Sequence, residues 1–236
     1  MKVLLVGASG GVAQAIAKEL IARGHSIFAV SRKPLTLPVD QYLCADLSTS
    51  KGGVALEHWL TTFPSEVLPD VVIQCAGILH DENTMPEKNL KQISADWINT
   101  SMQVNLYSHI YTAQAVSDLV KRSRPIRWVS LSALVGSISD NDLGGWYSYR
   151  MTKAALNMFI RNLDIEWRRK SPDSIVVALH PGTTDTKLSE PFQKGLAPDK
   201  LYQPELTGRR LVDVIEQLTP ERSGQLLHWD GTIFPF

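Results

Sequence analysis

The chain has 236 residues, with 24 lysines and arginines balanced by 24 aspartates and glutamates. That length suits one α/β domain with a substantial core and leaves little room for a separate substrate domain. Zero net charge with the signs interspersed argues against a nucleic-acid partner, which requires a basic footprint; the cluster Arg168-Arg169-Lys170 reads instead as the polar end of a helix.

Short apolar runs alternate with helical patterns along the chain, the signature of βαβ units and a mainly parallel sheet. The first predicted strand covers 3–6. Behind Met1-Lys2 this run imitates a secretory leader, but Gly7-Ala8-Ser9-Gly10-Gly11 breaks it at once. An amphipathic helix over 11–22 follows and stops at Gly24. Strands are predicted at 27–30 and 42–44, then a helix near 54–60 and a strand at 70–73. A long helix over 95–120 takes its cap from Ser94 or Asp96. A strand at 126–131, a second long helix over 147–169 and a strand at 175–179 come next. A helix near 208–217 and a strand near 225–228 complete the pattern. The tail Ile233-Phe234-Pro235-Phe236 is apolar and packs either on its own subunit or at a contact between subunits.

The stretch 183–204, rich in Pro, Gly and Lys, is long for a loop in a compact domain. It reads as a substrate loop, with a tolerated surface insertion as the alternative. Cys44 and Cys75 are far apart and lack CxxC spacing. No disulfide framework or metal site is expected, and a reducing cytoplasm fits. No run reaches the ~20 apolar residues of a transmembrane helix, so no membrane partner is expected.

Gly7, Ser9, Gly10, Gly11 and Val12 join the first strand to the first helix. Such a turn lets backbone approach a pyrophosphate whose charge meets a helix N-terminus. The second strand ends at Ser31-Arg32-Lys33, with no acid to hold a ribose 2′-hydroxyl. Arg32 can grip a 2′-phosphate, which favours NADP(H) over NAD(H). Asp46-Leu47 follows the third strand, where Asp46 either accepts from the adenine amino group or caps a helix. Cys75-Ala76-Gly77 ends the fourth strand; Gly77 would let backbone pass close to the adenosine ribose, and Cys75 reads as a packed small residue.

Tyr149 and Lys153 lie four apart on one predicted helix, so they share a face. A phenol titrates near pH 10, and a neighbouring ammonium favours its anion, which suits proton transfer at neutral pH. The glycine turn, Asp46-Leu47, Ala76-Gly77, Asn105, Tyr149/Lys153 and Pro181-Gly182 occur in an order that resembles the short-chain dehydrogenase/reductase superfamily over the full length. Gly136-Ser137-Ile138 with Gly144-Gly145-Trp146-Tyr147-Ser148-Tyr149-Arg150 resembles its C-factor and Sniffer-type carbonyl reductase branch.

The resemblance implies a single Rossmann-type, doubly wound domain over 1–236, with about seven strands in the order 3-2-1-4-5-6-7 and helices on both faces. It implies an NADP(H)-dependent oxidoreductase acting on a small-molecule carbonyl or alcohol, and a homodimer or homotetramer. Tyr149 is then the general acid in reduction and the base in oxidation. Lys153 lowers the Tyr149 pKa and binds the nicotinamide ribose. Asn105 bends its helix and holds a water for proton relay, and Pro181, Gly182, Thr183 and Thr186 surround the nicotinamide amide and pyrophosphate.

The chain departs from the family pattern at Val6, Ala13, Cys75 and Ala133. Ala133 stands where the family carries its substrate-polarising serine. Ser132 takes that role if the strand end is rotated by one residue, with Ser137 in reserve. Leu134, Val135, Trp146, His80 and the 183–204 loop form the expected substrate wall, and Trp146 suggests an apolar or aromatic substrate unless it is a packed surface residue. His180 reads as a core histidine. The competing reading is a nucleotide-binding signalling protein of the C-factor type with little turnover.

Overall fold

The computed structural model describes residues 1–236, the side chain of Pro198 excepted. Eight strands form one sheet: β1 (Lys2–Val6), β2 (Ser26–Ser31), β3 (Gln41–Cys44), β4 (Val71–Gln74), β5 (Arg127–Leu131), β6 (Ile175–Leu179), β7 (Leu226–Leu227) and β8 (Ile233–Phe234). Their order is β3-β2-β1-β4-β5-β6-β7-β8, and every pair is parallel except β7 with β8.

Strand alternation builds two cores. Leu4, Val6, Phe28, Val30, Val72, Trp128 and Val176 face one layer of helices. That layer includes α2 (Ser50–Thr61), α4 (Ser108–Val116) and α5 (Tyr147–Lys170). Val3, Leu5, Ile27, Ala29, Ile73, Val129 and Val177 face α1 (Gly11–Ala22) and α6 (Pro204–Glu216) on the other side. Burial on both faces explains why the strands read as continuous apolar runs. In α5, Leu156, Ile160, Leu163 and Trp167 are buried at helical spacing, and Trp167 meets Trp128 edge-on with centroids 5.7 Å apart. Burying such side chains contributes about 1.5–3 kcal/mol each.

Three expectations need correction. The sheet has eight strands rather than about seven, because the apolar tail folds back on its own chain as β8. Leu226 and Leu227 pair with Phe234 and Ile233, and Phe234 and Phe236 pack on the core. A two-residue strand is too short to show a period. The long helix expected over 95–120 is divided into α3 (Ala95–Met102), a π-turn (Gln103–Tyr107), α4 and a final 3-10 turn (Ser117–Leu119); its cap is Ser94, which accepts from Trp97 N at 3.4 Å. The helices α2 and α6 also begin a turn early, α2 behind its cap Thr49 and α6 at Pro204. No helix is long and apolar enough to cross a membrane among the described residues.

Candidate active site

The strand order reverses between β1 and β4, which opens a crevice at the C-terminal ends of the strands. Gly7 leaves β1 with φ +73, and a Cβ there would lie 2.8 Å from the Ala76 nitrogen. Only glycine lets this turn close on the end of β4. A cavity of about 150 Å³ opens beside it, bounded by Gly7, Ser9, Gly10, Ser31, Arg32, Asp46, Leu47, Cys75, Ala76 and Gly77. Arg32 stands at its rim, with its side chain 63% exposed. Asp46 is not a helix cap: one carboxylate oxygen receives Ser48 N at 3.0 Å and Ser48 Oγ at 2.7 Å, and the other lies 4.0 Å from Arg32 Nη1.

A second cavity of about 460 Å³ continues from the first along the same crevice. It shares Ser9, Gly10, Cys75, Ala76 and Gly77 with the first cavity and adds Gly11, Val12, Pro181, Thr186, Tyr149 and Lys153. These loops and strand ends meet because the parallel sheet delivers each strand to the same edge. Cys75 is a partly buried free thiol, and burial pushes its pKa up.

Tyr149 and Lys153 sit one turn apart near the start of α5, with Lys153 Nζ 5.7 Å from the Tyr149 ring centroid. The ammonium donates to Leu131 O at 2.9 Å. Burial pushes the phenol up to about 12. Burial likewise brings the Lys153 amine down to about 8. Desolvation therefore outweighs the help that the ammonium was expected to give the phenol. Asn105 lies within the π-turn and is fully buried. Its amide exchanges hydrogen bonds with Ile78, accepting from N at 2.7 Å and donating to O at 2.9 Å. It also donates to Thr152 Oγ1 at 3.0 Å. Both of its amide hydrogens and its oxygen are engaged, and they pin the π-turn to the loop after β4 and to α5.

Ser132 lines the second cavity and the one beyond it, whereas Ser137 lines neither. The Ser132 hydroxyl donates to Asn157 Oδ1 at 2.7 Å. Asn157 Nδ2 donates to Gly136 O at 3.2 Å, which fixes the amide orientation.

The third cavity, of about 520 Å³, is walled by Leu79, Leu134, Val135, Trp146, Leu188, Phe192 and Leu196, with Ser132 and Tyr149 at one end. Pro181, Gly182 and Thr183 complete the edge nearest the second cavity. No Lys, Arg, Asp or Glu lines it among the described residues. His180 also lines this cavity rather than sitting only in the core; burial, aided by His228, holds its imidazole down to about 3, so it is neutral. His80 is not part of the wall. It supports the loop instead, through Leu188 O at 3.2 Å and Phe192 with ring centroids 5.6 Å apart. The 183–204 stretch thus covers the site with Leu188, Phe192 and Leu196, and Trp146 belongs to the wall.

Sequence reasoning missed Asn157 and the buried Glu87, and it placed the 183–204 loop in the wall without singling out Phe192. Asn157 lay one turn beyond Lys153 on the same helical face, a usable signal; nothing local marks Glu87. Among the described residues there is no cluster of metal-ligating side chains.

Comparison with known proteins agrees with this fold. The short chain dehydrogenase family model matches residues 1–197. The chain is 29% identical over 238 residues to a 1-hydroxy-2-glutathionyl-2-methyl-3-butene dehydrogenase of Rhodococcus sp. (strain AD45), covering 98% of this chain and 97% of that protein. It is 37% identical over 134 residues to C-signal of Myxococcus xanthus, covering 56% and 75%. The structure of the carbonyl reductase Sniffer of D. melanogaster superposes with a TM-score of 0.85 at 20% identity, over 100% and 99% of the two chains. A putative short-chain dehydrogenase/reductase from Burkholderia multivorans with bound NADP gives 0.82 at 25% identity, again over 100% and 99%. The chain belongs to the short chain dehydrogenase family of oxidoreductases.

Proposed function

We propose that the chain interconverts a neutral, apolar carbonyl compound and its alcohol with NADP(H), using Tyr149 as proton donor and acceptor. The observation that carries this reading is the shared wall: Tyr149 and Ser132 line both the glycine-bounded crevice and the apolar cavity beyond it. Room for a dinucleotide supports it: two cavities of about 150 and 460 Å³ run on from each other, from Arg32 past the glycine turn to Tyr149 and Lys153.

Gly7, Ser9, Gly10, Gly11 and Val12 would hold the pyrophosphate at the start of α1. Ser31 and Arg32 would hold a 2′-phosphate, Asp46 and Leu47 the adenine, and Cys75, Ala76 and Gly77 the adenosine ribose. Pro181, Gly182, Thr183 and Thr186 would border the nicotinamide amide. NADP is favoured by Arg32 at the rim and by the absence of an acid at the end of β2, as well as by the NADP bound in the Burkholderia relative.

NADP(H) held by these residues would supply the hydride for the carbonyl carbon. Tyr149 O–H gives its proton to the carbonyl oxygen, which leaves the alcohol and a phenolate; the reverse reaction returns that proton to Tyr149. The Lys153 ammonium stabilises the phenolate while it lasts and binds the nicotinamide ribose. Asn105 pins the π-turn to Ile78 and Thr152, so a relay water at this point would bond to a group other than its two committed amide hydrogens. Ser132 polarises the substrate oxygen only by giving up its bond to Asn157. A signalling protein without turnover would have no use for a proton donor at the junction of the two cavities.

Consumption of NADPH with aromatic ketones, quinones, aldehydes and keto acids tests the reading. Neutral aromatic compounds should be reduced and keto acids refused, because the wall offers no cation to pair a carboxylate. Inertness toward every neutral carbonyl, or a preference for keto acids, would contradict it.

A further inference from the structure

We propose that Glu87 is a positioning residue that sets the start of the catalytic helix, and with it Tyr149 and Trp146; the proposal rests on the carbonyl reductase reading above. Glu87 lies between β4 and α3 and is only 3% exposed. Its carboxylate accepts from Ser148 N at 3.2 Å and also from the Ser148 hydroxyl. Its main-chain oxygen accepts from Trp146 N at 2.5 Å. Ser148 is the second residue of α5 and Tyr149 the third.

The helix has no side-chain cap from Trp146 and no acid in its own first turn. Glu87 supplies both from outside, matching a negative group to the positive end of the helix dipole. The approach to the helix is strained. Gly144, Gly145 and Trp146 have φ +63, +63 and +48 in succession, and Trp146 is the one non-glycine residue with positive φ among the described residues. Such a conformation persists only where the surroundings hold it. Arg150 Nε donates to Gly144 O at 3.2 Å and Gly145 O at 3.1 Å from one side, and Glu87 holds Trp146 from the other.

What the strained turn delivers is a ring. Trp146 lines the apolar cavity, with its centroid 4.9 Å from Phe192 and 6.3 Å from Tyr149. Glu87 lines none of the three site cavities, so it acts on substrate only through the groups it holds.

The test compares Glu87→Ala with Glu87→Gln, which keeps an acceptor for Ser148. Glu87→Ala should lower kcat/KM for benzil, used as an aromatic probe, by about 10²-fold, mostly in kcat. NADPH affinity should stay within about twofold, because no nucleotide contact is lost. Amide 148 should exchange at least about tenfold faster, while amide 146, whose acceptor is the retained main-chain oxygen, and the rest of α5 keep their protection. Glu87→Gln should recover activity to within about fivefold of wild type. Activity of Glu87→Ala within about threefold of wild type would overturn the proposal, as would unchanged exchange at 148, or equal loss of NADPH binding and helix protection throughout. If the wild type binds NADPH but reduces no carbonyl, the functional reading falls and exchange at 148 alone decides the role of Glu87. Should Glu87→Ala not fold, Ser148→Ala removes the hydroxyl half of the contact and is read by the same exchange.

Discussion

At its Arg32 end the crevice is bounded by backbone turns that follow β1, β2 and β4, and each turn is short and local in sequence. At its Trp146 end the wall is made of side chains carried by the segment after β5, the approach to α5 and the 183–204 loop. The first region is fixed by chain geometry, chiefly at Gly7, where any side chain collides with Ala76. The second is fixed by packing between segments far apart in sequence, such as Trp146 with Phe192. One end can therefore be conserved in function while the other is retuned for a new substrate.

Substitutions should affect the two ends separately. Tyr149→Phe should cost about 10²–10⁴ in turnover while NADPH binding stays intact; full activity in the variant would remove Tyr149 from the proton path. Arg32→Ala should act on the opposite end, weakening NADPH by roughly ten- to a hundredfold with little change for NADH. Equal losses for both cofactors, measured by titration, would contradict a 2′-phosphate contact.

Ser132→Ala should reduce turnover by only about tenfold, less than the 10²–10³ or so expected for a preorganised oxyanion donor, because the hydroxyl is already committed to Asn157. A larger loss in steady-state assays would mean that Ser132 turns fully to substrate.

Lys153→Met separates stability from chemistry. Burial lowers the Lys153 pKa from 10.5 to about 8. Between those values the unfolded chain holds a proton that the folded chain has released, so this residue adds stability as pH rises from 8 to 10.5. Urea unfolding should find the inactive variant more stable than wild type at neutral pH by roughly 2–3 kcal/mol. The gap should close above pH 10.5, where the amine is neutral in both states.

The contrast between the two ends also explains what the sequence could reveal. Helix α1 was legible to the residue, because the glycine turn and Gly24 bracket a clear amphipathic period. Tyr149 and Lys153 were legible because helical spacing alone puts them on one face. The π-turn at Asn105 was expected only as a bend, since a single inserted residue barely disturbs the apolar period. Strand β8 was too short to announce itself. Glu87 was invisible because its partners, Trp146 and Ser148, lie some sixty residues away, and tertiary contacts of that kind leave no local pattern.

The account rests on the crevice being a dinucleotide site continuous with the Tyr149 cavity. Equilibrium titration of the purified protein with NADPH and with NADH tests this most directly. Saturable binding of both, with NADPH tighter by at least about tenfold, is the predicted result. Failure to bind either nucleotide, or a preference for NADH, would contradict it.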